Sequence, residues 1–224
     1  MARHDPVREA AAPYTPAFLT VYDAWVIRLS NRFAWQCDAT VMLDLYNRHL
    51  GHRHLEVGPG SGWYLANSAA GETAQITLMD LNPTPLSFTA RRLRKSVHDV
   101  AAVCASVLEP VPAEAGTGYD SVGINFVLHC VPGDFTDKGI AFRHLADVLS
   151  DDGVLFGSTI LGRGREPRTL FGRALTTVYR RVGAFNNRDD DRGELEDALG
   201  AAFAEHTVIE VGAVTLFTAR RPRR

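Results

Sequence analysis

The residues best suited to chemistry lie between positions 56 and 129. Gly58, Gly60 and Gly62 alternate in the run Glu56-Val57-Gly58-Pro59-Gly60-Ser61-Gly62. Glycines at this spacing let the backbone turn sharply and approach a ligand, while the free N–H groups of a following helix face whatever is bound. Asp80 ends the next apolar run, near the spacing at which an acid following a glycine turn accepts hydrogen bonds from ribose hydroxyls. The order G-x-G-x-G, with Glu56 two residues upstream, differs from the G-x-G-x-x-G usual for dinucleotides. A pyrophosphate is favoured by a positive, closely approaching helix end. A carboxylate just before the loop suits a cationic ligand carrying an ammonium and a sulfonium.

Further along, Asn125, Phe126 and His129 follow the apolar stretch that begins at Ser121. With an unperturbed pKa near 6.5, a histidine there is the best acid or base candidate in the chain. The competing reading makes His129 a cap for the loop Cys130-Val131-Pro132-Gly133. Tyr14, Tyr22, Trp25 and Trp35 could close over a cation or stack a flat substrate, although at helical spacing aromatics more often serve the core. Asp189-Asp190-Asp191 raises the idea of a metal site, but a charge run of this kind reads as a solvated loop, so no metal is assigned. Arg220, Arg221, Arg223 and Arg224 read as a frayed basic tail.

These residues need elements to hold them. Periodic apolar positions predict amphipathic helices through Phe18 to Leu29 and Val41 to Leu50. Strands are expected at His54 to Val57, a short apolar run that reads as buried, and at Ile76 to Met79, Val100 to Cys104, Ser121 to Phe126 and Gly153 to Ile160, with helices at Pro83 to Lys95 and Ala141 to Leu149. This alternation predicts an α/β fold: a doubly wound, mainly parallel sheet covered on both faces. The stretch Gly162 to Arg192 reads as a helix within a mobile region, followed by a helix at Glu194 to Phe203. Thr207 to Val211 and Val214 to Thr218, separated only by Gly212-Ala213, should pair as a C-terminal antiparallel hairpin.

The 224 residues are 46% hydrophobic, enough for one domain with a substantial core. A net charge of -2 provides no field to draw the chain onto nucleic acid or an anionic membrane, so a small-molecule partner is expected. Three widely spaced cysteines, Cys37, Cys104 and Cys130, form no C-x-x-C pair, and residues 1–12 lack the apolar run of a secretory signal. A cytoplasmic location is the resulting expectation.

Leu55-Glu56-Val57-Gly58-Pro59-Gly60-Ser61-Gly62, Met79-Asp80-Leu81-Asn82, Tyr119-Asp120-Ser121-Val122 and Leu149 through Gly153, taken in order, resemble the class I S-adenosylmethionine-dependent methyltransferases of small molecules. The resemblance runs from about His54 to Phe217. It implies a Rossmann-like sheet of about seven strands with S-adenosyl-L-methionine as cofactor. Gly58, Gly60 and Gly62 would cradle its methionine end, with Glu56 nearby directly or through water. Asp80, with Leu81 and Asn82, would hold the ribose. Ser106 and Val107 would lie at the adenine, where many relatives carry an acid. Asn125, Phe126 and Tyr22 complete the expected cofactor set, and His129 would take a proton as the methyl group moves, although such transfer can also proceed through positioning alone.

The expected organisation is a helical N-terminal lid over residues 1–50, a cofactor core over 51–161, a variable substrate lid over 162–192 that sets specificity, and a closing helix and hairpin over 193–224. A non-methylating enzyme, a cofactor-binding protein or an NAD-dependent oxidoreductase on the same sheet are the rival functions. Glu56 and the glycine spacing disfavour the last.

Overall fold

A computed structural model describes residues 30–69, 74–94, 96–97, 99–164, 167 and 169–224. Tyr14, Tyr22 and Trp25, and with them the helix expected at Phe18 to Leu29, lie outside the described residues. After a π-helical stretch at 30–34, the first α-helix among the described residues is α1 (Ala39–His49), started by the Asp38 carboxylate accepting the Thr40 amide. It is followed by β1 (Arg53–Val57), the short α2 (Trp63–Asn67), β2 (Gln75–Asp80), α3 (Pro83–Leu93), β3 (Asp99–Cys104) and β4 (Tyr119–Asn125). Then come α4 (Phe135–Lys138), α5 (Ile140–Val148), β5 (Leu149–Thr159), α6 (Leu170–Arg181), α7 (Arg192–Ala202), β6 (Phe203–Val211) and β7 (Val214–Pro222).

The strands form one seven-stranded sheet in the order β3-β2-β1-β4-β5-β7-β6. β1 to β5 pair in parallel, while β7 runs antiparallel to both β5 and β6, as the short Gly212-Ala213 connection requires. Chain order reverses at β1, between β2 and β4, so a crevice opens beyond the carboxyl ends of β1 and β4. Each face has its own core. Leu55, Val57, Val122 and Ile124 pack with α5 and α7 through Phe142, Leu145, Leu195 and Leu199. On the other face Ile76, Leu78, Phe156 and Leu216 meet Met42, Leu45 and Tyr46 of α1, together with Leu86 and Leu93 of α3. No helix among the described residues is long and apolar enough to cross a membrane.

Three expectations change. His54 to Val57 is not an apolar run: Leu55 and Val57 face one core, while His54 and Glu56 point to the opposite face and are buried there. The aspartate triplet is not a solvated loop. Asp190 is 0% exposed and ion-paired, Asp191 is half-buried and caps α7 by accepting the Gly193 amide, and Asp189 is exposed, 3.7 Å from Arg163. The arginine-rich end is not frayed, because β7 continues to Pro222, with Arg221 beside Glu205 at 3.1 Å and Arg224 beside Asp151 at 2.8 Å. Register places those acids opposite the tail, which no local reading of four arginines could show.

Candidate active site

At the carboxyl end of β1 the chain turns through Gly58, Gly60 and Gly62 with φ of 64°, 54° and 69°, a region that residues with a Cβ rarely adopt. Close packing adds to the requirement. A Cβ on Gly58 would stand 2.3 Å from Val127 Cγ2, and one on Gly62 would stand 2.5 Å from Thr89 Cγ2. The Gly58 amide donates to Met79 O at 2.8 Å, and Thr89 Oγ1 donates to Gly60 O at 3.0 Å, tying the turn to β2 and α3.

Asp80 ends β2 beside Cys104, the last residue of β3. Its Oδ1 accepts the Asn82 amide at 2.8 Å, and the Asn82 side chain in turn accepts the Thr84 amide to start α3, with Pro83 at the first position. Burial pushes the Asp80 carboxyl up to about 6, against the weaker opposing pull of the Asn82 and Leu81 amides. This carboxylate has lost more water than the protein replaces with donors. Ser106 follows β3, with its Oγ accepting the Leu108 amide at 3.2 Å, whereas the Val107 side chain belongs to the core.

Glu56 is 3% exposed, and both of its oxygens are engaged. Tyr46 of α1 donates its hydroxyl to Oε1 at 2.5 Å, and His54 Nε2 lies 2.8 Å from Oε2. Glu56 Oε2, an acceptor, takes the Nε2–H of His54, while Ser121 Oγ accepts the Gly51 amide at 2.8 Å and lies 2.8 Å from His54 Nδ1. Burial, and then the adjacent Glu56, hold the Tyr46 phenol well above its usual range, so it remains a donor. Asn125 Nδ2 donates to the Tyr46 oxygen at 3.1 Å, extending the chain of bonds to the end of β4. Asn125 Oδ1 is buried without a partner among the described residues.

Sequence reasoning missed Tyr46, His54 and Ser121. The available signal was two polar residues, His54 and Glu56, two apart in a strand predicted to be buried: on one face, they must find partners.

After β4 the backbone kinks at Phe126, which has φ of 58°, and enters the turn that carries His129. His129 is 4% exposed, with its ring centroid 4.5 Å from that of Phe185 and 6.1 Å from that of Phe126. Trp35 and Tyr179 pack on Phe185 from other sides, at 5.7 and 5.0 Å. Burial, reinforced by the Lys138 charge, lowers the His129 imidazole to about 3. The expectation of a histidine titrating near neutrality is therefore corrected: His129 is uncharged throughout the physiological range. Its Nδ1 has no partner among the described residues.

The structure thus brings Glu56, the glycine turn, Asp80, Asn125 and Phe126 to the carboxyl ends of β1, β2 and β4, with His129 in the turn beyond β4. A family model described as a methyltransferase domain matches residues 55–155. The demethylluteothin O-methyltransferase of Streptomyces thioluteus is 40% identical over 215 residues, covering 95% of this chain and 91% of that protein. The physcion biosynthesis cluster O-methyltransferase of Aspergillus chevalieri is 36% identical over the full length of both chains. Among solved structures, DhpI in its SAH complex superposes over the whole of both chains with a TM-score of 0.67 at 16% identity, a likeness of fold.

Proposed function

The chain belongs to the class I S-adenosylmethionine-dependent methyltransferases, and from that premise we propose that it methylates a hydroxyl oxygen of a flat, apolar small molecule. When bound, S-adenosylmethionine supplies an electrophilic methyl group on a positively charged sulfur. The residues present fit that group. Asn125 Oδ1 is a buried acceptor in need of a donor, which the cofactor's ammonium provides. Asp80 is a half-buried, under-solvated carboxylate that a ribose diol would satisfy, with Leu81 and Asn82 shaping the same turn. Gly58, Gly60 and Gly62 leave the backbone bare beside the methionine end, and Ser106 with Val107 borders the adenine. With both oxygens engaged, Glu56 acts through Tyr46 and Asn125, adding negative potential near the ammonium without direct contact.

The observation that carries the acceptor assignment is an uncharged imidazole set in aromatic walls. Lowered to about 3, His129 is a weak base, so it orients a hydroxyl by accepting its hydrogen bond and takes the proton only once the oxygen, having gained the methyl group, has become strongly acidic. Trp35, Phe126, Tyr179 and Phe185 favour a planar apolar partner. Both sequence relatives bear the name O-methyltransferase, which supports oxygen over nitrogen.

The test is incubation with methyl-labelled cofactor and matched naphthols, naphthylamines and naphthalenethiols, with the site of label read by tandem mass spectrometry. Label on naphthol oxygen is expected. Label on amine nitrogen, with the naphthols untouched, would overturn the assignment.

A further inference from the structure

The segment 183–191 is held by more bonds than its sequence suggests. The Asn186 amide donates to His129 O at 2.8 Å, and its side-chain Nδ2 donates to Cys130 O, also at 2.8 Å. Asn187 Nδ2 donates to Ile160 O at 2.7 Å, and Asp190 O accepts the amides of Gly162 and Arg163. Beneath these bonds, the Lys138 ammonium lies 2.6 and 2.7 Å from the two Asp190 oxygens, both residues being 0% exposed. Lys138 ends α4, the helix reached directly from the His129 turn, and its Nζ is also 3.4 Å from Val131 O. The ion pair therefore joins the two pieces of chain whose side chains, His129 and Phe185, meet at 4.5 Å.

A buried ion pair is weak evidence for stability, because desolvation offsets most of the attraction and a well-packed apolar pair often does as well. Specificity of arrangement is the better account here. We propose that Lys138 and Asp190 are positioning residues that latch segment 183–191 onto the turn after β4, thereby fixing the Phe185–His129 wall of the acceptor pocket. This rests on the reading of His129 and its aromatic surroundings as the acceptor site. It makes recognition of the acceptor, and not of the cofactor, depend on a pair that touches neither.

The decisive variant is Lys138→Met/Asp190→Leu, which removes both charges and keeps the volume apolar. It should melt at or above the wild-type temperature and bind S-adenosylhomocysteine within about twofold. Hydrogen exchange at the Asn186 amide, which is bonded across the latch, should quicken by about tenfold or more. KM for 1-naphthol should rise by about fivefold or more, with a smaller change in kcat. If the variant does not fold, Lys138→Gln/Asp190→Asn carries the same readouts. Native exchange at Asn186 in a folded variant would overturn the latch and leave the pair as a packing element. Failure of the wild-type enzyme to methylate 1-naphthol would count against the acceptor reading, while the exchange experiment still decides the latch.

Discussion

Cofactor affinity should depend on pH through one residue, Asp80. Its carboxyl has a value of about 6 in the cofactor-free protein, raised by burial. Only the ionised form accepts from both hydroxyls of a ribose, so binding favours ionisation, and affinity must rise with pH through that value and level off above it. At one pH unit below, about ten of every eleven molecules carry a protonated Asp80, so the dissociation constant at pH 5 should be about tenfold larger than at pH 7.5. At pH 6 about half the molecules must lose a proton on binding, giving a release of about 0.5 proton per cofactor. Titration calorimetry of S-adenosylhomocysteine in buffers of different ionisation enthalpy measures both quantities. Asp190, also raised by burial, lies in the latch and not at the ribose, so Asp80→Asn is the control that separates them. That variant should bind about 1–3 kcal/mol more weakly at neutral pH and lose the pH dependence. A flat profile in the wild type, or one that survives in Asp80→Asn, would refute the placement of the ribose at the end of β2.

His129→Gln should keep S-adenosylhomocysteine affinity within about twofold and lower turnover by about tenfold or more, through loss of the acceptor that orients the hydroxyl. A loss below about fivefold would show that groups other than His129 orient the hydroxyl. Because His129 lies at about 3, the wild-type rate profile should show no inflection near pH 6.5 attributable to it, which a pH series on both proteins checks. Tyr46→Phe removes the donor to Glu56 Oε1 and should cost about 1–3 kcal/mol in urea unfolding, whereas an unchanged midpoint would show that another donor takes its place. Gly58→Ala combines a positive φ with a 2.3 Å approach to Val127, so cofactor affinity should fall by more than about tenfold, again by calorimetry.

The glycine turn and the acid at the end of β2 were legible because their signals are local. Three alternating glycines and an acid at a strand end state their requirements within a few residues, and the strand–helix alternation dictates the sheet that presents them. The remainder depends on what the fold brings together. Glu56 could be read as a carboxylate near the cofactor, but not as one already bonded to Tyr46, because α1 meets β1 only after the sheet face is covered. Asp190 appeared as one of three solvated aspartates because Lys138, 52 positions away, is invisible to local composition. His129 was assigned its model-compound titration since burial cannot be computed from the letters around it. The N-terminal aromatics other than Trp35 lie outside the described residues.

Gly123 in β4 sits opposite Glu56, and a Cβ there would stand 2.4 Å from Glu56 Oε2 and 3.2 Å from His54 Cε1. This contact couples the two positions under mutation. Gly123→Ala must damage the wild-type background, since neither the carboxylate nor its bonded histidine can retreat from where Tyr46 and Ser121 hold them. Once Glu56→Asp has shortened the acid by one methylene, the same alanine finds room. The order of substitutions then matters: aspartate first loosens the buried bonds to Tyr46 and His54 but makes room, whereas alanine first meets the full clash, with a coupling of about 0.5–3 kcal/mol between the two positions. In divergent descendants of this chain, alanine at position 123 should therefore accompany a shorter residue at position 56.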